Sequence, residues 1–385
     1  MVTKMDKTPD LSPLAPKYSR RSFLVAAGIG AISAPFLAQR GLELLKAAPE
    51  VFVSARTDAA GNHYIAAFDE FGNNRFSQEV ELRCHGVAAH PKDGTKAVIF
   101  ARRPGNLAYE IDFSQGEVRR KIVSPAGRHF YGHGAYSSDG KYLFASENDY
   151  INDKGIVAIY DGATLQRLGE VSSFGVGPHE VRMLSDGKTL VIANGGIITH
   201  PDTGRDKLNL ESMRPSLVYL DTSTGKQIGE YRINDHLLSI RHLSVGSDDR
   251  VGIAMQYEGP KSINPPLIGF HSGADEIDLV HASNALAIQM NNYTASICIE
   301  PSSGIACVSS PKGNLISFWH SNSGQFIDSL PIRDAGGVSL SKHRDEFIVT
   351  TGAGEIYFIP VATLKPEKRT VENDARWDNH LSVAI

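Results

Sequence analysis

The sequence predicts an all-β fold, a seven-bladed β-propeller. One short histidine-led segment recurs along the chain, and its last copy lies at the extreme C-terminus. His85 opens His-Gly-Val-Ala-Ala, His133 opens His-Gly-Ala-Tyr-Ser, His179 opens His-Glu-Val-Arg-Met, His242 opens His-Leu-Ser-Val-Gly and His380 opens His-Leu-Ser-Val-Ala. Each begins a short alternating strand. The first four lead into the turns Lys92-Asp93-Gly94, Ser138-Asp139-Gly140, Ser185-Asp186-Gly187 and Ser247-Asp248-Asp249. The spacing is that of a four-stranded blade, a sheet that buries its faces only against its neighbours.

The elements follow in order. Three strands come first, around 51–54, 63–68 and 75–82, with no inner strand ahead of them. Blade two runs from about 84 to 125, with 97–100, 107–111 and 117–121 as its later strands between glycine-containing turns. Blades three to seven begin near Gly132, Pro178, Ile240, Thr294 and Gly336. The strand missing from blade one is supplied by residues 380–384, whose pattern repeats that of 242–246. Pairing the two ends of the chain closes the ring and removes an exposed sheet edge.

Ahead of this body, Ser19-Arg20-Arg21-Ser22-Phe23-Leu24 has the paired arginines of a twin-arginine leader, and residues 23–38 form an uncharged stretch rich in Ala, Gly and Ile. The stretch is short for a membrane span. Residues 1–48 are therefore expected to be a signal peptide and short linker, with cleavage after Ala34, Ala38 or Ala48, and residues 49–385 the propeller. An uncleaved anchor is the alternative. Export by this route carries folded proteins, which places the mature domain in the periplasm.

Charges nearly cancel, 39 basic against 43 acidic, with no basic run after the leader, which argues against a nucleic-acid partner. Three cysteines exclude a disulfide scaffold. Cys298 and Cys307 flank Pro301-Ser302-Ser303-Gly304 symmetrically, either as a cross-strand disulfide or as two small buried residues. Neither paired CxxC motifs nor CxxCH occurs, so structural zinc and covalent haem find no support.

In a propeller the inner strand starts at the face that receives the loops between second and third strands. Those loops hold Arg102 and Arg103, then Glu147, Asn148 and Asp149, then Asn194 with a long insertion through Pro215, then Gln256. His85, His133, His179, His242 and His380 are expected to converge there with Glu147 and Asp149 as a metal site. Imidazole suits iron, copper, zinc and nickel, and carboxylates harden a site toward iron or manganese. The bland alternative is that each histidine bonds a neighbouring blade and merely fastens the ring. Blades six and seven offer Tyr293-Thr294 and Gly336-Gly337 at the aligned position, an asymmetry that leaves room for a ligand.

Further mouth candidates are Arg241 and, in the insertion, His200, Asp202, Arg205 and Met213; that insertion is a functional loop or a solvent-covered flap. Arg102 and Arg103 either bind an anion or solvate a loop, with solvation the preferred reading. No Gly-x-Ser-x-Gly elbow or His-Glu-x-x-His is present, and His179-Glu180 is only half of the latter.

Leu82-Arg83-Cys84-His85-Gly86, Ala101-Arg102-Arg103-Pro104-Gly105, Tyr131-Gly132-His133-Gly134, Ser146-Glu147-Asn148-Asp149, Gly177-Pro178-His179-Glu180, Ala193-Asn194-Gly195-Gly196-Ile197, Met213-Arg214-Pro215-Ser216-Leu217 and Ser239-Ile240-Arg241-His242-Leu243 together resemble the twin-arginine-exported bacterial propeller family catalogued as domain of unknown function 1513. Val25 departs from the lysine common in such leaders. The resemblance implies a periplasmic propeller without an assigned reaction, encoded near imelysin-like, iron-regulated proteins and a dihaem oxidoreductase-like protein. These would be its partners in iron, or second copper, acquisition. The leading expectation is thus a metal-binding propeller serving iron uptake. A propeller enzyme, either a metal-assisted hydrolase or lactonase or an oxidoreductase, and a metal-free interaction module are the alternatives.

Overall fold

A computed structural model describes residues 49–384 except Lys342, so the expected leader lies outside the described residues. Seven sheets follow one another around a ring, and the chain ends meet in blade one. Its strands Val51–Thr57, His63–Asp69 and Asn74–Val80 receive Arg376–Trp377 and Ser382–Val383 on the inner side, with Arg56 opposite Trp377 and Phe52 opposite Val383. The remaining blades are continuous four-stranded units whose inner strands are Cys84–Ala89, Arg128–Tyr136, Pro178–Met183, Leu238–Val245, Ile297–Ile299 and Ala335–Ser341. The seven-bladed ring closed by the C-terminal strand is the predicted one.

Burial explains the strand sequences. Second strands are sandwiched between adjacent blades, and several are apolar in their interior, such as Lys96–Ala101 and Thr189–Asn194, each buried after its first residue. Outer strands such as Arg167–Ser172 alternate half-buried with exposed, because one face meets solvent. The core is accordingly a chain of clusters between blades. One joins Val53 and Ile65 to Ile99 and Tyr109, the next Phe100 to Phe130 and Ala145. The seal between blades seven and one packs Ile348 and Phe358 against Phe52 and Phe68 with Trp377 and Leu381 from the closing strand.

Three local departures from the sequence reading have physical causes. A short helix, Asn284–Met290, links blades five and six; Ser283 caps it by accepting from the Leu286 N–H at 3.3 Å, and its Leu286 and Met290 are buried. It is too short for periodicity to reveal. The closing strand is split, because residues 378–381 bulge toward the axis between its two paired ends. Blade three's inner strand begins at Arg128, five residues ahead of His133. Cys298 and Cys307 do stand opposite each other, and no disulfide joins them. Among the described residues no helix is long and apolar enough to cross a membrane.

Candidate metal centre

Every histidine-bearing inner strand slips register at or beside its histidine. The shift falls between Cys84 and Val87, between Phe130 and Gly134, between Pro178 and Glu180, and between Ile240 and His242. The extra residues, two in blade three and one in each of the others, turn the strand and re-aim a side chain toward the axis. Hydroxyls on neighbouring strands take up the bulged carbonyls: Ser54 donates to the His380 carbonyl at 2.5 Å and Ser146 to that of His133 at 3.1 Å.

The five rings meet at the centre. Among the ring pairs in contact, centroid separations run from 4.2 Å for His85 and His380 to 6.3 Å for His85 and His242, with His133 4.5 Å from His380 and His179 4.7 Å from His242. All five are buried. His85, His133 and His179 present ligand nitrogens within 4.8 Å of one another, and so do His133, His242 and His380, with His133 common to both groups. Metal–imidazole bonds of about 2.0–2.1 Å require ligand nitrogens no more than about 4.2 Å apart, so the rings need draw in by only about half an ångström.

Two carboxylates stand behind them. Asp378 Oδ1 lies 2.5 Å from His85 Nδ1, while its Oδ2 accepts from Arg83 Nε at 2.9 Å and faces Arg102 Nη1 at 3.8 Å. Glu180 Oε2 lies 3.2 Å from His242 Nδ1 and 4.0 Å from His133 Nδ1, and Oε1 meets Arg182 at 2.5 Å. Burial opposes ionisation of both acids, yet the facing imidazoles and arginines hold each well below the ordinary carboxylate range. Burial pushes the histidines down too. His85 falls to about 4 despite Asp378, and His133, His179 and His380 lie well below their usual value. The rings are therefore neutral near pH 7, the form that binds metal.

Buried histidines elsewhere in the protein differ. His129 meets the Phe130 carbonyl at 2.9 Å and the Asn148 amide at 3.0 Å; His271 meets the Tyr219 hydroxyl at 2.6 Å and the Ala274 carbonyl at 2.8 Å. Both ring nitrogens are thereby engaged. In the central five, by contrast, His133 Nε2, His179 Nδ1 and His380 Nε2 are buried without a partner, and among the described residues the acceptors facing these rings are Asp378 and Glu180. Among the described residues none of the five rings bonds a neighbouring blade's backbone, as fastening would require.

The other expected site residues separate. Glu147 does not join the histidines: it accepts from Tyr160 and from Arg167, each at 2.8 Å, because its side chain leaves the strand on the face opposite Ser146. Asp149 pairs with Arg128 at 2.8 Å and holds the Asn152 amide. Asn148 also donates to the Thr199 carbonyl, and Asn194 to that of Ser173, so both secure loops. Gln256 donates to the Thr294 carbonyl. His200 caps the turn Pro201–Thr203 with its ring against Tyr150, and Met213 is buried beneath the insertion. Arg102 does reach the centre through Asp378, and Arg241 sits beside His242, buried, 3.5 Å from Glu258. Arg103 is no solvated loop residue, being 7% exposed.

Sequence reasoning missed Asp378 and passed over Glu180. Both adjoin the histidine segments, but which carboxylate faces which ring depends on contacts between blades. A third grouping, Glu50, Glu70 and His343, lies at the seam of blades one and seven, where Ser341 donates to Glu50 at 2.5 Å.

The model of a family described as "Protein of unknown function (DUF1513)" matches residues 78–384. No curated protein matches the chain. Among solved structures, Kuenenia stuttgartiensis hydrazine synthase is similar at 13% identity and a TM-score of 0.62, over 78% of this chain and 90% of that one. A chain of the mitotic checkpoint complex is similar at 12% identity and a TM-score of 0.56, over 76% and 78%. At these identities the likeness is one of fold alone.

Proposed function

This chain belongs to the family of proteins of unknown function designated DUF1513, and we propose that it is an exported, periplasmic propeller whose five-histidine centre binds a transition metal in the service of iron uptake. The observation that carries the reading is the contrast between satisfied structural histidines and five buried, neutral imidazoles at one point, three of which hold a nitrogen without a partner. Asp378 behind His85 and Glu180 behind His242 supply the carboxylate partners that orient metal-binding imidazoles and raise their basicity. With Glu147 and Asp149 engaged elsewhere, the donors are nitrogen only, a set that iron(II), copper(II), zinc and nickel accept. Iron stands first and copper second through the family's association with iron-regulated, imelysin-like and dihaem oxidoreductase-like partners. Export rests on Arg20-Arg21 and the uncharged run after them. A bound metal would supply Lewis acidity or a redox centre.

Elemental analysis of untagged protein purified from the periplasm, joined to calorimetric titration with iron(II), copper(II) and zinc, tests the proposal. Wild type is expected to bind one of these metals tightly. His133→Ala removes the ligand common to both histidine groups and should abolish binding while the circular dichroism of the fold persists. A wild type that neither carries nor binds any of the three metals would refute it.

A further inference from the structure

The mouth of the centre carries more positive charge than its carboxylates answer. Arg103, in the loop after the second strand of blade two, is 7% exposed, and its Nη1 is buried without a partner. Among the described residues no carboxylate pairs with it. Arg241, 4% exposed, pairs among the described residues with Glu258 alone, at 3.5 Å, and its Nε is also unpartnered. Glu258 is shared with Lys207, and Asp378, the nearest acid to Arg102, is already taken by Arg83 and His85. Arg205, from the blade-four insertion, completes the group at the exposed rim.

These arginines come from three blades and crowd one another. Burial first, then the like charges of Arg241, Arg205 and Arg102, brings Arg103 down to about 9, so it remains protonated at neutral pH. A buried guanidinium without a counter-charge is strongly unfavourable, and guanidinium forks match the oxygens of carboxylates and phosphates. The backbone comes close to them: a Cβ at Gly195 would stand 3.0 Å from Ser239 Oγ and 3.4 Å from Arg241 Nη1.

We propose that this mouth is an anion site, in which Arg103 and Arg241 grip a small molecule bearing two or more carboxylate or phosphate charges, with Arg102 and Arg205 at its edge. The site needs no metal beneath it. It does explain how a cation could enter a positively charged mouth, namely accompanied by an anionic oxygen ligand that cancels the arginines.

The test uses chelator-treated, metal-free protein at constant ionic strength, titrated with citrate in one arm and inorganic phosphate in the other, against chloride. Calorimetry should show saturable binding in at least one arm, with a matching rise in Tm, and the arm that binds tells carboxylate from phosphate ligands. Arg103→Met should weaken that binding by about tenfold or more. Without anion it should melt no lower than wild type, because it removes an uncompensated buried charge. Arg205→Gln, altering an exposed side chain that cannot threaten the fold, should also weaken binding. His133→Ala should keep anion binding, so loss of the metal reading leaves this one standing. Absence of saturable binding in both arms, or unchanged affinity in both Arg103→Met and Arg205→Gln, would overturn the proposal.

Discussion

Five buried imidazoles packed around one point cannot all carry protons, and their burial makes the protein sensitive to acid. The groups facing them are Asp378 and Glu180 on the negative side and Arg102, Arg182 and Arg241 on the positive. An unfolded histidine titrates at 6.5, whereas His85 in the fold titrates at about 4 and the others are likewise lowered. Between those values the unfolded chain binds more protons, so stability falls as pH drops. The loss should begin below about 6.5 and continue toward 4, at up to about 1.4 kcal/mol per pH unit for each histidine. Asp378 and Glu180, lowered in the fold, act in the same direction at still lower pH; Glu147, raised by burial, opposes as one group. Urea unfolding of metal-free protein from pH 8 to 4 measures this. A flat profile between pH 7 and 5 would show that the rings are not buried together.

The bulged inner strand is the element that makes the centre, and its glycines are spacers. A Cβ on Gly86 would stand 2.5 Å from His133 Nδ1 and 2.6 Å from the Gly132 carbonyl oxygen. Gly86→Ala is therefore expected to push blades two and three apart at the axis, costing about 1–3 kcal/mol and weakening metal binding through a residue that is no ligand. Gly169→Ala, where a Cβ meets nothing within 4 Å, is the control and should leave both unchanged. Equal behaviour of the two variants in thermal unfolding and metal titration would refute the close approach. Blade seven keeps the bulge, between Ala335 and Val338, but fills it with Gly336-Gly337, against which the bulged closing segment packs; a Cβ on Gly337 would lie 2.7 Å from the His380 carbonyl carbon. The missing histidine there makes room for the last one.

The ring as a whole depends on its final residues. Deleting 377–385 removes Trp377 and Leu381 from the seal between blades seven and one, strips the pairing from Phe52 and Val53, and takes His380 and Asp378 from the centre. The truncated chain should lose its single cooperative melting transition and aggregate through the open edge. A full-amplitude transition at the wild-type Tm would contradict closure as the source of cooperativity. Export, too, concerns the whole chain: replacing Arg20 and Arg21 by lysine should leave folded precursor in the cytoplasm, as fractionation and immunoblotting would show. Undiminished periplasmic recovery would count against twin-arginine recognition.

Repetition made the architecture legible without coordinates. Turn residues, alternating strands and the match between 380–384 and 242–246 are local patterns, and seven blades with end-to-end closure follow from them because each blade needs only its neighbours to bury its faces. The same repetition marked His85, His133, His179, His242 and His380 as equivalent positions. Their surroundings were not legible. Whether Glu147 or Glu180 faces the axis depends on which side of a strand its side chain leaves, and a single bulged residue, such as the one beside Glu180, reverses that side. Asp378 meets His85 across 293 residues, and Arg103 is buried beside Arg241, Tyr131 and Arg205, which lie far from it in sequence, so no local pattern announces either. Strand order is written in short stretches of chain; the partner of each buried charge is decided only when distant stretches are brought together in one low-dielectric space.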